Sequence, residues 1–154
     1  MSKNTHLPLY VDMKGKEVLI FGGGKIAKRR INTMYDFEAN VTVVAPSVLP
    51  EIKELEGVVI VEKPYTPGMI RKLGESGIAP FIVLAATNDK AVNEEIYKES
   101  KALGIAVNNA SDQKQCDFMF PAVIRKGDMV IGVTSGGRDH KGTAKMAKML
   151  REDI

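Results

Sequence analysis

The segment Lys16–Ala27, KEVLIFGGGKIA, constrains this chain more than any other. An apolar, strand-like run enters Gly22, Gly23 and Gly24, and a helix-forming segment follows at once. Gly22, Gly24 and Ala27 meet the G-x-G-x-x-G/A spacing of a dinucleotide-binding turn. Each residue has a physical reason. Gly22 permits a tight turn, Gly24 lets the backbone approach a pyrophosphate, and Ala27 lets the helix pack on the strand. The first N–H groups of the helix have no intrahelical acceptor, and together with the dipole they favour an anion. Lys25, Lys28 and Arg29 stand near the helix start, where a purely structural helix favours acids. A structural strand–turn–helix could share the glycine spacing, so the flanking pattern carries the reading.

The rest of the chain alternates in the same way. Strands are expected over Glu17–Phe21, Val41–Ala45, Val58–Glu62, Phe81–Ala86 and Ile105–Asn108. Helices are expected from Lys25 to about Phe37, over Val48–Leu55 with Ser47 as cap, and over Thr66–Leu73 ending at Gly74. A longer one over Ala91–Leu103 is capped by Asn88 or Asp89 and stopped by Gly104. Such alternation implies an α/β, Rossmann-like parallel sheet with helices on both faces. After Asn108 the pattern changes. Phe118–Arg125 and Met129–Thr134, joined through Lys126-Gly127-Asp128, read as a β-hairpin, and a basic helix follows. The expected division is a dinucleotide-binding domain over 1–111 and a hairpin–helix region over 112–154.

In an open α/β sheet a ligand sits beyond the carboxyl ends of the strands. Gly22, Gly23, Gly24, Lys25, Ile26 and Ala27 are therefore candidates at the first strand, and Ala45, Pro46 and Ser47 at the second. Ala86, Thr87 and Asn88 follow at the fourth and Asn108 at the fifth. The second strand lacks the Asp or Glu that ordinarily holds a ribose 2′-hydroxyl, so NAD and NADP are not distinguished there. Small residues at Ala85-Ala86 leave room for a ring, although a tight turn capped by Asn or Asp would use the same residues.

Composition narrows the class. A net charge of +3 is too mild to indicate nucleic acid, and no apolar run approaches the length of a membrane span. The opening MSKNTHLPLY lacks the basic-then-apolar order of a signal peptide, and Cys116 is the only cysteine. These features fit a cytoplasmic protein in a reducing interior. Cys116, Asp117, His6 and His140 are the conspicuous metal ligands, but no pair has metal-ligand spacing, so no metal site is expected.

LPLYVDMKGKEVLIFGGGKIAKRR, VTVVAP, AATND with Val92-Asn93, and CDFMFPAVIRKGDMVIGVTSGG occur in order along the chain. Together, over about Leu7 to Gly137, they resemble the precorrin-2 dehydrogenase module of siroheme synthases. The resemblance implies NAD-dependent oxidation of precorrin-2 to sirohydrochlorin, with iron or cobalt insertion, seen in some members, left open. It implies a homodimer, and the apolar alternation of Phe118, Phe120, Val123, Met129, Ile131 and Val133 independently asks for a covering surface. The many carboxylates of that substrate give Ser135, Arg138, His140 and Lys141 a use. Lys141, Lys145 and Lys148 share one helix face, although a solvated basic face would look the same.

The family pattern places an aspartate, its implied catalytic residue, where this chain has Ser111, with Asp112 next to it. The catalytic candidates are therefore Asp112 as proton acceptor with Ser111 as its hydrogen-bond partner, or water in their place. Asp139-His140 also replaces a small-residue Ser-Pro after the glycine pair. Two other classes remain in view: a nucleotide-sensing regulatory module, and a tetrapyrrole- or metal-carrying relative without catalysis. The first ordinarily keeps the acidic residue after the second strand and lacks the CDFMFPA block.

Overall fold

Four consecutive residues, Val18 to Phe21, are wholly buried, which requires an element covered on both faces. A computed structural model, which describes residues 3–153, shows how. Five parallel strands form one sheet: β1 (Glu17–Phe21), β2 (Asn40–Val44), β3 (Val59–Val61), β4 (Ile82–Ala85) and β5 (Ala106–Asn109). Their order is β3-β2-β1-β4-β5. Leu19, Phe21, Val83, Ala85 and Val107 pack with Ile70 and Ile96 from the crossover helices. The alternate residues, among them Val18 and Ile20, turn to the other face of the pleat. There α1 (Lys25–Asp36), with Ala27 and Ile31 buried, lies on β1 and β2. The expected Rossmann-like architecture is the one observed.

The order reverses between β1 and β4, and this sets where a ligand can enter. The second and third helices differ from the sequence reading, whereas the fourth carries one of its two expected caps. The second helix, α2, is short, Pro50–Lys53, and Ser47 does not cap it; Leu49 is the cap residue, with no side-chain cap bond. The Leu49 N–H donates to the Gly23 carbonyl at 2.9 Å, so the glycine turn holds the preceding loop extended until Pro50 starts the helix. The third helix, α3 (Met69–Glu75), passes through Gly74 and stops before Gly77, whose φ of +102° no helix accepts. Its start is set from outside, since Glu99 accepts the Gly68 and Arg71 N–H groups at 3.2 Å each. The fourth helix, α4 (Lys90–Ala102), is capped by Asp89, which accepts the Ala91 and Val92 N–H groups at 2.9 and 3.3 Å.

Two compact units result, Asp12–Phe118 and the described residues of Met1–Val11 with Met119–Ile154. The first runs past residue 111 because the chain folds back on β5. After a 3-10 turn at Gln113–Gln115, Cys116 bridges to Asn108 and the Asp117 N–H donates to the Val107 carbonyl at 2.8 Å. The second unit contains a hairpin of β6 (Ala122–Lys126) and β7 (Met129–Val133), and α5 (His140–Asp153). The hairpin starts at Ala122 rather than Phe118. Its register also corrects the expected apolar face: Val123 pairs with Gly132 and points away from Met129, Ile131 and Val133. Ile124 shares their face and is buried.

Candidate functional site

The glycine turn is shaped by what would collide there. Gly22 has φ +127°, and a Cβ on it would strike the Ala86 carbonyl, with the carbonyl carbon only 2.6 Å away. Its N–H donates to the Val44 carbonyl at 3.0 Å, so one residue joins the ends of β1, β2 and β4. Gly23 is equally confined: a Cβ would meet the Ser47 carbonyl oxygen and stand 2.8 Å from the Val48 Cα. Gly24 differs. Among the described residues nothing lies within 4 Å of a Cβ placed there. It caps α1 without any side-chain bond, so the N–H groups of Lys25, Ile26 and Ala27 face an open approach.

The flanking charges are arranged less simply than the sequence suggests. Lys25 and Arg29 are exposed. Lys28 instead leans to Glu51 of α2 at 3.4 Å, so it does not stand free toward an anion. Ile26, 55% exposed, leaves an apolar surface on the first turn. At the end of β2, Ala45 is buried with its N–H on the Val61 carbonyl at 3.2 Å, while Pro46 and Ser47 are exposed.

Across the switch point, side chains do the organising. Asn93 is 1% exposed, and its Oδ1 accepts from both the Thr87 N–H (3.0 Å) and the Thr87 hydroxyl (2.7 Å). Its Nδ2 donates to the Thr87 carbonyl at 3.1 Å and to the Ser111 Oγ at 3.2 Å. The Ser111 hydroxyl and N–H both go to Asn109 Oδ1, at 2.7 and 2.9 Å. Asn109 Nδ2 donates to Gln115 Oε1 at 2.7 Å. One chain of amides thus links the ends of β4 and β5. Sequence spacing missed Asn93, Asn109 and Gln115 as members. A usable signal was present, because Asn93 and Ser100 occupy the apolar face of α4 with Ile96, and all three are buried.

The expected pairing of Ser111 with Asp112 is not what the structure shows. Asp112 is exposed, and its Oδ1 accepts the Lys114 N–H at 2.9 Å as the cap of the 3-10 turn. Asn108 is likewise redirected: its Nδ2 donates to the Phe118 carbonyl at 2.9 Å. Asn88 is exposed beside Asp89. Cys116 donates to the Asn109 carbonyl at 3.2 Å, and burial pushes its thiol above the ordinary value, which suits packing rather than reactivity. Burial also acts to raise Asp117, but Lys101 at 2.8 Å and the Val107 N–H at 3.0 Å outweigh it and hold the carboxyl below its ordinary value.

In the hairpin–helix unit, Ser135 and Arg138 organise the approach to α5. The Ser135 Oγ accepts the Asp139 N–H at 2.8 Å, and the Arg138 Nε donates to the Ser135 carbonyl at 3.4 Å. Asp139 then accepts the Gly142 N–H at 2.8 Å. His140 and Lys141 are exposed at the helix start, as are Lys145 and Lys148 further along it. His6 lies 2.9 Å from the Asn4 Oδ1. Among the described residues no helix is long and apolar enough to cross a membrane.

A family model described as "Putative NAD(P)-binding" matches residues 9–122. The siroheme synthase of Blochmanniella pennsylvanica is 31% identical over 152 residues, 97% of this chain and 29% of that protein. The siroheme synthase of Tolumonas auensis is 35% identical over 149 residues, 97% of this chain and 30% of that protein. The chain therefore spans about three-tenths of the length of the curated relatives it matches. Among solved structures, SirC, precorrin-2 dehydrogenase, superposes with a TM-score of 0.77 at 28% identity, covering 97% of this chain and 71% of that one.

Proposed function

Since the chain belongs to the NAD(P)-binding family of the siroheme synthase and precorrin-2 dehydrogenase modules, we propose that it oxidises precorrin-2 to sirohydrochlorin with NAD. The observation that carries this reading is the open face over Gly24, directly across the strand-order reversal from the Thr87–Ser111 ledge. The residues fit a dinucleotide. Gly24 and the first-turn N–H groups of α1 would hold the pyrophosphate, and the small Ala86 with Thr87 would border the nicotinamide. NAD, when bound, supplies the hydride acceptor.

The protein's own task is to orient the macrocycle and take the proton. Asp112 suits the second part, because its carboxylate is exposed and one oxygen is fixed by the Lys114 N–H. The Ser111 hydroxyl proton is committed to Asn109, so it has no base to activate it. Arg138, His140 and Lys141 supply donors for substrate carboxylates in the hairpin–helix unit, the expected substrate and dimerisation region of 112–154. Met129, Met146 and Met149, each about half exposed, give that unit an apolar surface suited to a second copy.

Anaerobic mixing of precorrin-2, NAD and the protein tests the activity. Formation of NADH together with the sirohydrochlorin spectrum is the expected result, and Asp112→Ala lowers kcat by about tenfold or more. Binding of both ligands without turnover would turn the assignment to a carrier. Light scattering tests the association: a mass of twice 16.8 kDa is expected, and a monomer at micromolar concentration refutes the homodimer.

A further inference from the structure

Asn93 touches neither the glycine turn nor the exposed carboxylate, yet every polar atom of its side chain is used. Two acceptor contacts and one donor contact fix Thr87, through its N–H, hydroxyl and carbonyl. One further donor contact reaches Ser111 on the next strand's exit. Asn93 itself is 1% exposed, so its amide depends on these protein partners, while Thr87 is half-buried and Ser111 is exposed. Thr87 borders the proposed nicotinamide position, whereas Ser111 precedes Asp112 in the chain.

We infer that Asn93 is a positioning residue that sets the cofactor-side turn at Thr87 and the Ser111–Asp112 loop in one fixed relation. The inference rests on the proposed dehydrogenase reading and names how its two halves are kept in register. The asymmetry of the bonds makes it specific. Three bonds hold the Thr87 side and one holds the Ser111 side, so the two sides can be cut separately. Removing the Ser111 hydroxyl releases only the loop. Removing the Asn93 amide releases both.

The Ser111 hydroxyl has a defined direction in this arrangement. It donates to Asn109 Oδ1 and accepts from Asn93 Nδ2, so it serves as a relay between two amides. Its backbone N–H on the same Asn109 oxygen tightens the loop. A displacement of the following carboxylate by a fraction of its present reach would misplace the proton acceptor while leaving cofactor contacts intact.

The test measures NADH affinity by its fluorescence separately from kcat with precorrin-2 in the full chain. Ser111→Ala is expected to lower kcat by about tenfold while leaving the NADH dissociation constant within about twofold. Ser111→Thr, which keeps the hydroxyl, is expected to restore most of the rate. Asn93→Ala is expected to lower kcat at least as far and also to weaken NADH by about fivefold or more. Combining Ser111→Ala with Asn93→Ala adds little to the loss in kcat of Asn93→Ala. The inference is overturned if Ser111→Ala has the wild-type rate, if it weakens NADH as much as it slows turnover, or if Asn93→Ala leaves NADH affinity unchanged. Should Asn93→Ala not fold, the Ser111 pair and Thr87→Val, which removes the hydroxyl's bond to Asn93 together with its two to the Asp89 backbone, decide on the same two readouts. A wild-type protein that binds NADH but does not oxidise precorrin-2 fails the dehydrogenase reading and this inference's rate prediction; NADH weakening in Asn93→Ala would then still mark the Thr87 half as correct.

Discussion

The two sides of the strand-order reversal are built by opposite means. At the ends of β1 and β2 the turn is made of backbone. Gly22 and Gly23 are needed because no Cβ fits beside the Ala86 and Ser47 carbonyls, and Gly24 is open. At the ends of β4 and β5 the shape is held by side-chain amides, running from Thr87 through Asn93, Ser111 and Asn109 to Gln115. The first side gains its precision from groups that are missing, the second from groups that are all satisfied. A cofactor needs the first, since phosphates must approach the chain closely. Placing a proton acceptor needs the second, since direction depends on hydrogen bonds.

Substitution by alanine should therefore act differently within the glycine turn itself. Gly22→Ala is expected to have the largest effect. The backbone conformation is open only to glycine and the new methyl would overlap the Ala86 carbonyl, together costing about 3 kcal/mol or more of stability. Thermal unfolding and NADH titration should both register the loss. Gly23→Ala pushes on the Ser47–Val48 backbone and should rank next on both measurements. Gly24→Ala breaks this pattern in an informative way. Its φ is −91° and its surroundings are open, so folding should change by only about 1 kcal/mol or less. NADH affinity should still fall by about tenfold, because the methyl enters the space a pyrophosphate needs. If Gly24→Ala binds NADH normally, the ligand does not lie over this turn.

The same contrast explains what could be read from the amino-acid order. The five strands and the glycine turn follow from local signals: continuous apolar runs, a fixed glycine spacing, and an Asp cap before α4. The short α2 was not legible, because Ser47 and Gly57 look like helix limits while the Gly23 carbonyl, distant in sequence, holds Leu49. Gly74 misled similarly, since the stop falls at a glycine with positive φ three residues later, Gly77. Asn108 stands at a strand end, and no local signal shows that its Nδ2 donates to the Phe118 carbonyl, ten residues on. The polar network was least visible. Its members span residues 87 to 115, and only their meeting in space gives Asn93 its partners.

Two ion pairs, Lys101–Asp117 and Lys28–Glu51, flank these regions. Asp117 belongs to the amide-rich side, and besides Lys101 it accepts the N–H of the buried Val107. Asp117→Ala removes that acceptor, which should cost about 1–3 kcal/mol in urea unfolding at neutral pH. Its carboxyl is held below the ordinary value, so the native state prefers the charged form. The contribution is therefore complete above the ordinary carboxylate pKa and is lost as pH falls through the depressed one. Wild type and Asp117→Ala should converge in stability over that acid window.

Glu51 has the same sign but a different setting. Its own backbone N–H, then Lys28, lowers its carboxyl, while the side chain is exposed. An exposed pair at 3.4 Å is screened and holds two mobile side chains. Glu51→Gln should then leave the neutral-pH unfolding midpoint unchanged, with any difference from wild type restricted to salt-sensitive behaviour as the acid limb is approached. NADH affinity supplies the sharper readout. Releasing Lys28 from Glu51 frees a cation one turn from the open N-terminus of α1, so Glu51→Gln should tighten NADH slightly at low salt and lose that gain at high salt. Unchanged affinity at low salt would show that Lys28 lies outside the field of the bound phosphates, leaving the first-turn N–H groups and Lys25 as the anion's partners.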